Sequence, residues 1–299
     1  FERAADRSRP ETATFALSLY WLFEARGPAS VAEEILDRVL EDGALVDGAL
    51  EADDLAALLV ARSDLRLLSG RLDQAAEDAA RAESLVPQLE PAAAAAALTT
   101  LARAGLQTAE SAGPDELLER ARKIASRADS GAAEASVVVE SARRALSAGD
   151  TTTLRERLRT TERLLDRQGE PRLRAEVLVL KGDAASEAFR FETAREHFDR
   201  ALGLFRQLEL DRRTIPTLWR LGDAEQKIGD RRGTRRRYHE AARAANRAGA
   251  MRRVARSYLS LGTLACKELA FEQARDILMD TLDVAEESGW SGLRGQARA

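Results

Sequence analysis

Residues 218–230 read LWRLGDAEQKIGD, and the glycine of this stretch, Gly222, lies forty residues from Gly182 on one side and from Gly262 on the other. The sequence around each glycine repeats as well. A repeat of this length in one chain is typical of helical-repeat proteins and other repeat architectures. Further columns share the register: small residues twelve positions after each glycine (Ala194, Thr234, Ala274), large residues at sixteen (Phe198, Tyr238, Leu278) and small residues again at nineteen (Ala201, Ala241, Thr281).

The spacing of these columns predicts a tight pair of antiparallel helices in each block. Glycine on the first helix lets the second helix approach closely, and the small residues admit neighbouring helices while the large residue fills the remaining space. The composition agrees, because 5% aromatic residues and seven prolines stand among many Ala, Leu, Arg and Glu residues, which favour helix. We therefore expect an all-α protein with no β-sheet.

This pattern resembles the tetratricopeptide repeat, on the strength of LWRLGDAEQKIGD and of AREHFDRAL at residues 194–202. The resemblance covers about residues 20–290 and implies a right-handed superhelical solenoid of about seven antiparallel helix pairs. The period of forty is longer than the ~34 residues of the standard repeat. HEAT and armadillo arrays have compatible periods but do not explain the small, large, small series. An earlier block matches the same pattern at Ser63, Gly70, Ala75, Ala82 and Pro87.

We expect one solenoid over residues 1–299, with the first residue, Phe1, and the phase of the repeat indicating a piece of a longer array. Residues 290–299 are predicted to begin a truncated eighth pair. The seven predicted helix pairs span residues 10–41, 51–87, 90–128, 131–168, 171–208, 212–248 and 251–288.

The resemblance implies a non-catalytic scaffold for protein–protein interactions. The long form of the repeat is similar to arrays in bacterial signalling NTPases, kinases and transcription regulators, so we expect a fragment of a larger multidomain bacterial signalling or regulatory protein. An alternative is a ligand- or peptide-sensing arm that controls an attached NTPase, kinase or other effector domain. A weaker alternative is nucleic-acid binding through the second half, because residues 121–299 carry 35 basic and 27 acidic side chains.

In tetratricopeptide arrays the first helix of each pair lines a groove, and offsets just after the glycine column give the candidates for contact with a partner. Trp219 has two interpretations: a groove anchor, or an ordinary core residue, since Val179 and Leu259 occupy its offset. The second interpretation is favoured. The candidate groove residues are Asp64, Asp183, Trp219, Asp223, Gln226, Lys227 and Lys267.

Two arginine patterns suggest anion binding, and each has a simpler structural interpretation. Arg155, Arg195, Arg235 and Arg275 form a ladder at one offset, which fits local pairing better than an anion stripe. The basic run at residues 230–237 suggests nucleic-acid contact. Ion pairs between repeats are favoured instead, with Arg232 placed between Glu192 and Glu272, and Arg236 between Glu196 and Asp276.

The remaining chemistry-bearing residues predict no catalytic, metal or cofactor site. His197 and His239 occupy different offsets without a ligand set, and Cys266, the single cysteine, is interpreted as a packing residue. Phosphate-loop, dinucleotide and nucleophile-elbow motifs do not occur. We therefore expect no enzyme activity, no cofactor, a protein or peptide partner (another domain of the parent chain being one option), no membrane association, and a cytoplasmic location.

Overall fold

The regular structure is helical throughout the part of the chain that the computed structural model describes. Within that part there are fourteen α-helices, one short 3-10 turn at Val86–Gln88 and no strand, which confirms the predicted fold class. The described ranges are residues 9–25, 29–43, 50–69, 71–104, 113–128, 130–168 and 170–287. The predicted eighth pair at 290–299 lies outside them.

The helices form seven pairs in chain order, each consisting of a first and a second helix. Their bounds are α1 Arg9–Ala25 and α2 Ala29–Gly43; α3 Ala52–Ser69 and α4 Leu72–Leu85; α5 Pro91–Ala104 and α6 Pro114–Ala125; α7 Gly131–Ser147 and α8 Thr151–Gln168; α9 Pro171–Glu187 and α10 Phe191–Gln207; α11 Asp211–Ile228 and α12 Arg231–Arg247; α13 Met251–Lys267 and α14 Phe271–Glu287.

The contacts divide the chain into two compact units, and the division falls inside α9. An N-terminal unit extends to Val177, and a C-terminal unit begins at Leu178. Each unit is described by itself below. The single array over residues 1–299 stays a prediction.

The glycine column of the C-terminal unit sets how closely the two helices of a pair approach. A methyl group at Gly182 would lie 2.6 Å from Cδ1 of Phe198, and one at Gly222 would lie 2.7 Å from Cε1 of Tyr238. These distances are well inside van der Waals contact, so the second helix could not lie where it does. The large residue at offset sixteen therefore packs directly on the glycine, and the flanking small residues are buried: Ala194, Ala201, Thr234, Ala241, Ala274 and Thr281.

An ion-pair network lies inside the N-terminal unit and connects three helices. Asp78 on α4 is 1% exposed and accepts hydrogen bonds from Nε and Nη2 of Arg62 on α3, at 2.9 and 2.6 Å. Arg66, one turn later, donates to Asp78 at 2.7 Å and to Asp37 on α2 at 3.1 Å. The buried Glu33 on α2 completes the network by accepting from Arg66 and from Arg71. Burial of charge is tolerable here because each group has an opposite partner.

Pro216 lies inside α11, where proline removes a backbone donor. The carbonyl that loses its partner is four residues earlier, on Arg212. Nη1 of Arg253, on α13 of the next pair, donates to that carbonyl at 2.7 Å. A side chain of pair seven thus satisfies a backbone acceptor of pair six.

In pairs four to seven, the turn that joins the first to the second helix contains one residue in the left-handed region. Gly149 and Gly229 adopt φ values of 70° and 96° at this position. Phe189 and Leu269 occupy the same turn position in pairs five and seven, with φ values of 57° and 60°. Glycine adopts this conformation readily, whereas a side chain at such a position adds backbone strain of about 1–2 kcal/mol.

Candidate functional site

Polar side chains join successive first helices in the C-terminal unit and mark one continuous face. Asp183 at the end of α9 accepts from Nε of Arg220 on α11, at 2.7 and 3.1 Å. Lys267 at the end of α13 donates to Oε1 of Gln226 on α11 at 3.1 Å. Three of the predicted groove residues, Asp183, Gln226 and Lys267, therefore make contacts between neighbouring first helices. We define the first-helix face by Asp183, Arg220, Asp223, Gln226, Lys227, Arg256 and Lys267.

Trp219 lies beneath this face. Its side chain is 7% exposed and belongs to the apolar core of the unit, and its Nε1–H donates to Oγ of Ser257 on α13 at 2.8 Å. The guanidinium carbon of Arg256 lies 4.6 Å from the ring centroid, so a cation covers one side of the ring. Of the two interpretations from sequence, groove anchor and core residue, the structure therefore favours the core residue. Trp219 packs beneath the first-helix face.

Asp223 lies on the surface of the face and is held by the second helix of its own pair. The hydroxyl of Tyr238 donates to Oδ1 of Asp223 at 2.5 Å. Burial, together with the adjacent Asp223 carboxylate, raises the pKa of the Tyr238 hydroxyl well above its usual range. The phenol therefore remains a donor, and it fixes the orientation of one acidic group toward solvent.

Lys227 and Arg256 supply exposed positive charge to the face. In the described part of the chain no ion pair within 4.0 Å involves either residue, so both cations remain available to solvent. Arg220 and Arg256 were missed from sequence. For Arg220 the spacing from Asp223 was a usable signal, because residues three or four positions apart share one side of a helix. Arg256 lies on the next first helix, α13, where no such spacing from Asp223 applies.

Asp64, the candidate in the N-terminal unit, takes part in a series of alternating charges on first helices. It accepts from Nη1 of Arg103 on α5 at 2.6 Å, and Arg103 also lies 3.4 Å from Glu140 on α7. Arg143 continues the series by pairing with Glu140 at 2.9 Å and with Glu176 on α9 at 3.7 Å. The attraction of Asp64, with that of the other acids, raises the pKa of Arg103 above its usual range despite burial. Asp64 therefore connects helices as well as presenting a carboxylate.

The basic run at the start of α12 does make ion pairs between helix pairs, but through different residues from those expected. Arg237 pairs with Asp199 on α10 at 3.1 Å, and Arg235 pairs with Glu268. For Arg232 and Arg236 no ion pair is found among the described residues. Residues at one offset of stacked, equally oriented helices point in the same direction, so a cross-pair contact needs different offsets on facing sides.

The arginine ladder is heterogeneous. Arg235 is bound to Glu268 of the next pair, and Arg275 lies 3.0 Å from its neighbour Asp276. Arg155 is exposed, whereas Arg195 is half-buried. These separate environments favour local pairing over a common anion stripe.

The histidines and the cysteine do not assemble into a metal site within the described ranges. No group of three His, Cys, Asp or Glu side chains suited to a metal ion occurs there. His197 is half-buried, and burial together with nearby arginines lowers the pKa of His239. Cys266 is exposed, contrary to its interpretation as a packing residue. Among the helices described, none combines the length and apolar character that crossing a bilayer requires.

Glu225 is a buried acid that the sequence pattern did not single out. It is 3% exposed at the end of α11, and its Oε1 accepts from Nε of Arg237 at 3.2 Å. Gly233 makes room for it, since a methyl group there would lie 2.9 Å from Oε2 of Glu225. Burial raises the pKa of the Glu225 carboxyl above its ordinary 4.5, and Arg237 offsets part of this effect. Gly233, a glycine within the second helix, was the feature of the sequence that could have indicated this buried side chain.

The free energy of unfolding should depend on pH through the Glu225 carboxyl. Because its pKa is raised in the folded state, its stabilising contribution is full below about pH 4.5 and is lost as pH rises through the folded pKa. We expect the free energy of unfolding of Glu225→Gln to increase relative to wild type as pH rises from about 4 to 8. Urea denaturation of both proteins across that range measures the difference. A difference that shrinks with rising pH would mean that the Arg237 pair outweighs burial.

Comparisons with known proteins define the fold. No protein-family model matches the sequence, and a search of curated proteins finds no match. The chain is similar to a Rap protein complexed with competence and sporulation factor, with 15% identity, a TM-score of 0.65, and coverage of 94% of this chain and 78% of that one.

Two further structures are similar over most of this chain. One is a signal transduction ATPase with a tetratricopeptide repeat sensor from Pyrococcus horikoshii: 13% identity, TM-score 0.61, covering 86% of this chain. The other is the APC/C hetero-tetramer Cut9-Hcn1: 14% identity, TM-score 0.60, covering 92%. The chain spans only 38% and 53% of the length of these two proteins. The likeness to tetratricopeptide-repeat proteins predicted from sequence is confirmed at the level of fold, and the chain therefore has a tetratricopeptide-repeat-like, all-helical fold.

Proposed function

We propose that this chain is a non-catalytic protein-interaction scaffold, and that the first-helix face of the C-terminal unit binds a peptide or a segment of a partner protein. The observation that carries the proposal is the set of contacts on that face. Asp183 and Gln226 are held by side chains of the next first helix, and Tyr238 holds Asp223. Fixed polar groups lose little conformational entropy when a partner binds, which favours affinity.

The charge of the face indicates the chemistry of the partner. Two carboxylates, Asp183 and Asp223, lie among four cations: Arg220, Lys227, Arg256 and Lys267. Positive charge is in excess, and three of the cations, Lys227, Arg256 and Lys267, have no ion pair in the described part of the chain. A segment that carries acidic groups would thus find complementary charge, and the two carboxylates would fix its register.

A sensing arm is the second candidate, and the similar structures favour it over nucleic-acid binding. One of them is an ATPase with a tetratricopeptide repeat sensor, and another is a Rap protein in complex with competence and sporulation factor. Under this proposal the chain belongs to a larger bacterial signalling or regulatory protein, acts in the cytoplasm and controls an attached effector domain. Binding at the first-helix face would then change how the arm contacts that domain.

Charge reversal on the face tests the proposal. Arg256→Glu combined with Lys267→Glu should weaken capture of partners by the intact protein, because it reverses the charge of two exposed cations of α13 on the first-helix face. The measurement is quantitative affinity capture, followed by titration of each recovered partner against purified protein. We expect at least a tenfold weaker Kd for the variant, the equivalent of about 1.4 kcal/mol.

A matched control has the same change in charge on second helices. Arg200→Glu with Arg243→Glu alters two exposed arginines of α10 and α12 and should leave capture intact. Equal loss in both double variants would indicate a nonspecific effect of net charge. Equal retention in both would contradict the assignment of the face.

A further inference from the structure

Among the described residues of the C-terminal unit, three of the five exposed large apolar side chains lie at the turns between first and second helices, and the other two are Met251 and Met279. Phe189 is 81% exposed and Leu269 is 73% exposed. Phe271, two residues after Leu269, is also exposed, and the Phe191 ring lies edge-on to Phe189 with centroids 6.1 Å apart. Two apolar pairs thus project from the turns of pairs five and seven.

These residues stand where the backbone favours glycine. Phe189 and Leu269 adopt positive φ at the turn position that Gly149 and Gly229 occupy in two other pairs. Burial does not compensate for that strain, because both side chains remain in solvent. Neither backbone conformation nor packing within the chain explains why apolar residues stand at these two positions. We therefore infer that their apolar surface contacts another molecule.

The three turns lie along one edge of the unit. The ends of α11 and α13 are adjacent, as the Lys267–Gln226 hydrogen bond shows, and Arg235 near the start of α12 reaches Glu268 in the turn of pair seven. Asp183 and Arg220 place the end of α9 beside α11 in the same manner. Turns of equally oriented pairs therefore follow one another along an edge. We define the turn edge by Phe189, Phe191, Arg231, Arg232, Leu269 and Phe271.

The middle of the turn edge is basic. Arg231 and Arg232 are exposed, and neither makes an ion pair among the described residues. Asp230 beside them accepts the N–H of Gly233 at 2.8 Å as a helix cap, so its carboxylate is directed to the backbone. At the apolar ends, the exposed acids Glu192 and Glu272 follow Phe191 and Phe271, and the exposed Arg190 lies between Phe189 and Phe191. Positive charge thus lies between two apolar sites, and one exposed acid adjoins each of them.

We propose that the turn edge is a second docking surface, which binds an amphipathic helix of a partner protein with apolar side chains at both ends of one face and acidic side chains between them. The pattern of charge is complementary to such a helix. Packed helices lie about 8–10 Å apart, so two steps from pair five to pair seven span roughly 20 Å, the length of about 13 helical residues. Glu192 and Glu272 offset two of the three exposed arginines Arg190, Arg231 and Arg232, which disfavours an anionic lipid surface.

A designed peptide tests the chemistry directly. The probe is a fluorescein-labelled helix of about 15 residues with leucines at the two ends of one face and glutamates between them, and its counterpart has lysines in place of the glutamates. Fluorescence anisotropy with the full chain should give binding of the glutamate peptide and at least tenfold weaker binding of the lysine peptide.

Two sets of variants separate docking from folding. Phe189→Gly with Leu269→Gly relieves the backbone strain, so the melting temperature should not fall, while the Kd for the glutamate peptide should rise at least tenfold. Arg231→Glu with Arg232→Glu should reverse the preference toward the lysine peptide. Met279→Ser, an exposed apolar residue of α14 away from the turns, is the matched control and should change neither quantity.

Several results would overturn the proposal: equal binding of both peptides, unchanged affinity in the glycine variant, or a lower melting temperature for that variant. Binding of phosphatidylglycerol vesicles that the same variants abolish, without peptide binding, would assign the edge to a membrane instead. Arg256→Glu alone, about three helical turns before the end of α13, weakens the first-helix face but should not affect the probe, so failure here and failure of the first-helix proposal remain distinguishable.

Discussion

Replacing Gly182 with alanine should lower the free energy of unfolding by about 2–3 kcal/mol. The added methyl group would lie 2.6 Å from Cδ1 of Phe198, a ring that is 1% exposed and has little space into which to move. The pair must therefore open or the ring must leave its rotamer. Chemical denaturation followed by circular dichroism measures the loss.

The chain contains a control for the same substitution. Gly203 lies within α10 and is exposed, and a methyl group added there would have no atom within 4 Å. Alanine is a better helix former than glycine, so Gly203→Ala should stabilise the protein by about 0.5–1 kcal/mol. If both substitutions shifted the denaturation midpoint in the same direction, close approach would not be the reason for the glycine column.

Removal of the Asp78 carboxylate is the second change with a large expected effect. In Asp78→Ala the buried Arg62 loses two hydrogen bonds and Arg66 loses one, while Asp37 remains as a partner for both. Loss of one member of this buried network leaves the charge of the two arginines only partly compensated by Asp37, and we expect a loss of about 3 kcal/mol in the free energy of unfolding. Denaturation with urea at neutral pH is a suitable measurement.

Two controls distinguish burial from charge alone. Glu34→Ala removes the exposed pair with Arg38, at a distance of 2.6 Å, and should change stability by no more than about 0.5 kcal/mol. Arg62→Met with Asp78→Leu removes both buried charges and should recover most of the loss. Comparable effects of Asp78→Ala and Glu34→Ala would show that the network contributes little.

The fold was predictable because its determinants recur. Gly182 packs against Phe198 within pair five, and Gly222 packs against Tyr238 within pair six. The same requirement, a glycine opposite a large residue, is therefore visible at several places in the sequence. Helix bounds follow from local signals such as Pro91, Pro114 and Pro171, each the first residue of a helix. The forty-residue period of the sequence was thus sufficient to predict the helix pairs.

The candidate site was predictable only in part, since its contacts depend on how one pair is placed against the next. Asp183 and Lys267 were assigned to the first-helix face from their offsets, yet their partners Arg220 and Gln226 depend on inter-pair geometry. The prediction that Arg232 pairs with Glu192 and Glu272 was wrong for the same reason. Offsets give the direction of a side chain within one pair, whereas contacts between pairs require the translation that relates them.

The bond from Arg253 to the carbonyl of Arg212 links backbone satisfaction in pair six to the presence of pair seven. If pair seven were deleted, that carbonyl would lose the hydrogen bond from Arg253, beside a proline that already removes one backbone donor from α11. The two pairs should consequently open together, and amide hydrogens of α11 and α13 should exchange with solvent at a common rate. Pairs six and seven should therefore unfold as one cooperative unit. An insertion or deletion between them should then be tolerated less well than one between other pairs.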